Sequence, residues 1–206
     1  GTFHSIAARV LRKHAELVGL KSNFTILDTD DQLRLLKQGL EAHDIDEKRW
    51  PARSLGAIIN RWKDRGLAPD QVTDTEGSDF ANGRTLELYH DYQERLRSLN
   101  AADFGDLLMH NLTLFSNDKG VLREYQDRFR FILVDEYQDT NVLQAGILKG
   151  FFPTGEGLTV VGDDAQSIYS FRSATVDNIL NFPDAFSLPG KVITLQQNYR
   201  SHPNIL

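Results

Sequence analysis

The chain is 206 residues long, 40% hydrophobic and 25% charged, with a formal net charge of −6. That composition fits a folded globular protein of one large or two modest domains and excludes a disordered chain. With 15 basic against 16 acidic residues in 1–100 and 8 against 13 in 101–206, it also excludes nucleic-acid binding by bulk positive charge. Cysteine is absent, which rules out disulfides and thiolate metal sites. No apolar stretch is long enough to span a bilayer and no signal-peptide pattern opens the chain, so a cytoplasmic protein is expected. The only methionine is Met109 and the first residue is Gly1, so the chain reads as a piece of a longer product.

In chain order, the apolar positions Ile6, Val10, Leu11, Leu17 and Val18 predict a helix over 5–18, with Gly19 closing it. Asp28 or Thr29 can cap a second helix over 30–42, built on Leu33, Leu35, Leu36 and Leu40. Leu55, Ile58, Ile59 and Trp62 have the spacing of a third helix over 54–65, ended by Gly66 and Pro69. Its Arg61, Lys63 and Arg65 form a basic cluster that reads as a solvated helix face. Residues 66–83 read as a loop, and 84–99 as a fourth helix on Leu88, Tyr92, Leu96 and Leu99.

From residue 101 the texture changes. Asp103 can cap a helix through Leu107, Leu108, Leu112 and Leu114. Three strand candidates follow at 129–134, Leu158–Val161 and Val192–Leu195, separated by helical segments near 141–150 and 174–182. Strands alternating with helices predict an α/β fold with a parallel sheet. The first strand, with four consecutive apolar residues from Phe131 to Val134, is expected to be buried on both faces. A helical block over 21–99 then stands between residues 1–20 and the α/β layer of 100–206.

Each strand candidate ends in polar residues. The first runs into Asp135-Glu136-Tyr137-Gln138-Asp139-Thr140-Asn141, and the second into Gly162-Asp163-Asp164-Ala165-Gln166-Ser167-Ile168-Tyr169-Ser170-Phe171-Arg172. The third runs into Gln196-Gln197-Asn198-Tyr199-Arg200-Ser201. Ligands of parallel sheets bind beyond the carboxyl ends of the strands, so these ends converge on one expected cleft. Acidic side chains there can hold Mg²⁺ and orient a water against a phosphate. Asp139 reads as a capping residue after the strand.

Together with Gly1-Thr2-Phe3-His4-Ser5, these stretches resemble motifs Ib, II, III and IV of the UvrD/Rep/PcrA family of superfamily 1 DNA helicases. Asp103-Phe104-Gly105-Asp106-Leu107-Leu108 is similar to the short motif that precedes motif II. The resemblance covers essentially the whole chain. It implies a partial RecA-like (P-loop NTPase) parallel sheet with an inserted all-helical subdomain, ATP and Mg²⁺ as cofactors, and single-stranded and duplex DNA as partners. It also implies 3′→5′ translocation. By this resemblance Asp135 ligates Mg²⁺ and Glu136 polarises the attacking water. Gln166 senses the γ-phosphate, Arg200 spreads its charge in the transition state, and Tyr199 stacks on adenine. Thr2, Phe3, His4, Tyr169, Phe171 and Arg172 fall on the DNA side, and the family's helical insertion contacts duplex DNA, a second reading for Arg61, Lys63 and Arg65 beside that of a solvated face. Many members carry tryptophan at the position of Phe171, which implies weaker base stacking here.

No G-x-x-x-x-G-K-[ST] phosphate loop occurs in the chain, and the family carries that loop upstream of its TFHS motif. The second motor domain, with a further arginine, follows the residues equivalent to Leu206. The expectation is that this polypeptide alone neither hydrolyses ATP appreciably nor unwinds DNA. Two other readings remain open on the sequence: a helicase–nuclease subunit of the AddA or RecB kind, and a non-catalytic nucleic-acid-binding or protein-interaction module.

Overall fold

In a computed structural model of the chain, residues 1–73, 79–166 and 177–197 are described. Thr2 opens α1 (Phe3–His14), its Oγ1 accepting the Ser5 N–H at 3.2 Å. Arg12, Lys13 and His14 occupy its last turn, where positive charge suits the helix dipole. A 3₁₀ turn over Ala15–Val18 continues it, and Gly19 closes that turn at φ +78°, a backbone region open to glycine at no steric cost.

The chain then passes through β1 (Thr25–Ile26), which pairs in parallel with β2 (Ala101–Ala102), Thr25 opposite Ala101 and Ile26 opposite Ala102. Two-residue strands carry no alternation, so the sequence does not predict them. Between the two strands lie α2 (Thr29–Ala42), α3 (Ala52–Asp64) and α4 (Thr85–Ser98). Asp28 caps α2 by accepting the Asp31 N–H at 2.9 Å. These three helices bury a core of their own around Leu36, Leu40, Ile59, Trp62, Leu88 and Tyr92. Such apolar faces meet because each helix repeats its large side chains at the helical period.

The second part contains α5 (Phe104–Asn117), α6 (Lys119–Arg128), β3 (Ile132–Val134), α7 (Val142–Phe151) and β4 (Leu158–Val160). Buried Asn111 pins α5 to α1, its amide donating to the Ala7 carbonyl at 3.1 Å and the Leu107 carbonyl at 2.7 Å. The sequence reading passes over α6, which buries only Val121 and Tyr125 and so shows a thin apolar stripe. Its start is legible in hindsight: Asp118 accepts the N–H groups of Gly120 and Val121. The fold is therefore a helix-rich α/β arrangement with short parallel sheets. No helix among the described residues is long and apolar enough to cross a membrane.

β3 and β4 pair in parallel, Ile132 opposite Leu158 and Val134 opposite Val160, and both are shorter than the sequence suggests. β3 is not buried on both faces: Val134 is buried, but Leu133 is 67% exposed and Phe131 just before it 85%. Among the described residues β4 is its sole sheet neighbour, and packing covers the face of Ile132 and Val134 alone. The expected strand over Val192–Leu195 is absent, and Val192, Ile193 and Leu195 are all exposed there. Apolar residues hold a strand only when their backbone groups find a neighbour, and these find none among the described residues. Of the helix expected near 174–182, the structure has α8 (Asp177–Leu180) and then a 3₁₀ turn over Phe182–Asp184; residues 174–176 lie outside the described residues.

Candidate functional site

The carboxyl ends of β3 and β4 are locked side by side. Val161 donates its N–H to the Val134 carbonyl at 2.8 Å, and Tyr137 donates to the Val161 carbonyl at 2.9 Å. Asp135 and Glu136 stand at this edge with their side chains exposed. Glu136 adopts left-handed backbone geometry, φ +51° and ψ +43°, a conformation that costs a non-glycine residue about 1–3 kcal/mol and gathers at functional positions. Asp135 Oδ1 accepts the Glu136 N–H at 3.0 Å. Glu136 Oε2 accepts from Gln138 Nε2 at 2.7 Å.

A 3₁₀ turn over Tyr137–Asp139 follows, and then α7 starts at a capping box in which Asn141 and Gln144 exchange side-chain-to-backbone bonds. The cap is therefore Asn141. Asp139 does not cap the helix; it sits in the turn, and its Oδ1 is buried with no hydrogen-bond partner among the described residues. Asn141 reaches further, donating to Asp64 Oδ1 at the end of α3 at 3.0 Å.

Gln166 lies in a 3₁₀ turn just past β4, exposed, its Nε2 donating to Asp163 Oδ2 at 2.7 Å. Asp163 in turn takes an N–H from Ala165 on Oδ1 and donates its own N–H to Gln138 Oε1 at 3.2 Å. Asp135, Glu136 and Gln166 thus sit on two neighbouring strand ends joined by one hydrogen-bond path. Tyr169, Phe171, Arg172, Tyr199 and Arg200 lie outside the described residues.

Thr2, Phe3 and His4 form the cap and first turn of α1. His4 meets Phe104 edge-on, with ring centroids 5.8 Å apart, and burial lowers the imidazole pKa from its usual value of 6.5, which favours the neutral ring near pH 7. Residues Gly1–His4 and Asp135 line one cleft of about 590 Å³, floored by apolar side chains such as Leu108, Ile132 and Phe151. The structure therefore places the start of α1 and the first strand-end carboxylate around a common space.

Sequence reasoning missed a buried ionic cluster. Lys63 is not part of a solvated basic face: it is fully buried, with Nζ 2.7 Å from Asp103 Oδ2 and 2.6 Å from Asp106 Oδ1. Tyr92 donates its hydroxyl to Asp103 at 2.8 Å, Gln32 adds an amide at 3.1 Å, and Gln93 donates to Asp106 at 3.2 Å. The same two acids form the capping box of α5, each accepting the other's backbone N–H.

Burial opposes every charge here. For Lys63 the two carboxylates outweigh it and raise the ammonium pKa; for Asp103 the Lys63 charge and three hydrogen bonds outweigh it and lower the carboxyl pKa. Burial and the adjacent Asp103 charge together raise the pKa of Asp106. A Cβ on Gly105 would come 2.8 Å from Lys63 Cδ, so glycine there leaves room for the lysine stem. The signal was present in the spacing: Lys63 continues the row Leu55, Ile59 at intervals of four, on the face that α3 buries.

Two neighbouring strand ends of this α/β fold thus carry adjacent carboxylates and a polar turn at one sheet edge, where parallel sheets bind ligands. The sequence profile of the UvrD/REP helicase N-terminal domain matches residues 1–187. The chain belongs to that family. It is 44% identical over 209 residues to a "Probable DNA helicase II homolog" of Rickettsia felis. It is 42% identical over 212 residues to DNA helicase II of Escherichia coli K12, and 40% identical over 205 residues to the ATP-dependent DNA helicase PcrA of Staphylococcus epidermidis. Each alignment covers 100% of this chain, but 32%, 28% and 28% of the respective relative. The chain thus spans less than a third of the length of these relatives.

Proposed function

We propose that these residues form part of the first motor domain of an ATP-dependent DNA helicase that moves 3′→5′ on single strands and unwinds duplex. The observation that carries this reading is the pairing of β3 and β4, which brings Asp135-Glu136 and the Asp163–Gln166 turn to one sheet edge in a chain of the UvrD/REP family. Asp135 offers a hard oxygen to Mg²⁺, an ion that takes one or two carboxylates and shares the rest of its shell with phosphate and water. Glu136 accepts the proton of the attacking water. Gln166 senses the γ-phosphate, while Tyr199 and Arg200 complete the nucleotide pocket. Thr2, Phe3, His4, Tyr169, Phe171 and Arg172 face the single strand, where aromatic rings stack on bases without reading sequence.

In this reading the sheet is RecA-like and 21–99 is an inserted helical subdomain. The separate core of α2, α3 and α4, enclosed between β1 and β2, supports the second point. Exposed Phe131 and Leu133 support the first, since helices packed on that second face, as on both faces of a parallel α/β sheet, would bury them. Strand displacement tests the proposal. The full-length protein should release the strand of a 3′-tailed duplex with ATP and not that of a 5′-tailed one, and the 206-residue chain alone should do neither. Failure of the full-length protein to displace either strand would refute the reading.

A further inference from the structure

The buried amide of Gln138 stands between the two strand ends. It is 1% exposed. Its Nε2 donates to Glu136 Oε2 at 2.7 Å, and its Oε1 accepts the Asp163 N–H at 3.2 Å. An ionised carboxylate can only accept and a backbone N–H can only donate, so this pair of neighbours fixes which way the amide points. A side chain here must therefore donate at one end and accept at the other. The packing leaves no slack around it: a Cβ on Gly162 would lie 2.5 Å from Gln138 Oε1. Beyond Asp163 the path continues, because Asp163 Oδ2 accepts from Gln166 Nε2 at 2.7 Å.

We propose that Gln138 is a positioning residue that couples Glu136 to Gln166, so that a change at the carboxylate is passed to the 163–166 turn through one amide. This rests on the reading of Glu136 as the water-activating base. Gln138 holds the Glu136 carboxylate with one end of its amide and the Asp163 N–H with the other, so a displacement of that carboxylate moves the amide and alters its grip on the Asp163 N–H. Asp163 holds Gln166 directly, so the turn after β4 responds without any long-range motion.

The test is steady-state ATP turnover by the full-length protein, with and without single-stranded DNA, for wild type, Q138L and Q138E. Both variants should lower kcat by about 10–100-fold, the usual effect of removing a group that orients a reacting side chain. They should also abolish stimulation by DNA while leaving KM for ATP near its wild-type value. Melting curves establish that each variant is folded. If Q138L is not, Q138E carries the test, because it keeps the shape and replaces only the donor with an acceptor. DNA stimulation equal to wild type in a folded variant overturns the coupling. A wild-type protein without ATPase activity overturns the nucleotide-site reading, and the coupling with it.

Discussion

Replacing Glu136 by glutamine in the full-length protein should lower the ATP turnover number by about 10²–10⁴-fold, the range for losing a general base. The substitution keeps the shape, and the new amide oxygen can still accept from Gln138, so the strand end stays in place. What disappears is the basic oxygen that takes the proton of water. Nucleotide binding should persist, since phosphate contacts and stacking do not depend on that proton. The expected pattern is a collapse of kcat with little change in affinity for ATP, measured by turnover and by equilibrium binding of a fluorescent analogue. Unchanged turnover in E136Q would remove Glu136 from the chemistry, and the left-handed backbone at this position would need another cause.

Replacing Lys63 by methionine should destabilise the chain by about 3–5 kcal/mol, the cost of breaking a buried ion pair from one side. Domains are stable by only about 5–15 kcal/mol, so this single change removes a large share. Methionine fills much of the space of the lysine stem but leaves Asp103 and Asp106 facing each other without a cation. The triple variant K63M/D103N/D106N should recover much of the loss, because it removes the stranded charges while asparagine can still cap α5. Urea unfolding of the three proteins measures both effects. A K63M penalty of about 1 kcal/mol or less, the range of exposed pairs, would contradict the burial seen here. The consequence reaches beyond stability. Lys63 joins α3 to the start of α5, whose Phe104 touches His4, and neighbouring Asp64 is tied to the cap of α7.

Much of this was readable before any coordinates. The helical repeats of α1 to α5 and α7 stand in the apolar spacing, and Asp28 and Asp103 cap where the sequence expects. β3 and β4 stand in the sequence as apolar runs, and their polar continuations mark the candidate site. The physics that the sequence hides is pairing and partners. A run such as Val192–Leu195 looks like a strand until the sheet neighbour it needs is sought among the described residues. Phe131 and Leu133 look buried until the face they present proves uncovered. Lys63 looks like surface because lysine is so rarely buried, and only its register with Leu55 and Ile59 says otherwise. Gln138 stands in the stretch that resembles motif II, but nothing in the sequence names its two hydrogen-bond partners, which lie on different strand ends.

We propose above all that the ends of β3 and β4 form a nucleotide site. A structure of the full-length protein with Mg²⁺ and a non-hydrolysable ATP analogue tests it most directly. The metal ion is expected to face Asp135, with Glu136 and Gln166 turned toward the terminal phosphate. A triphosphate bound away from this sheet edge, or lying there with Glu136 and Gln166 directed elsewhere, would contradict it.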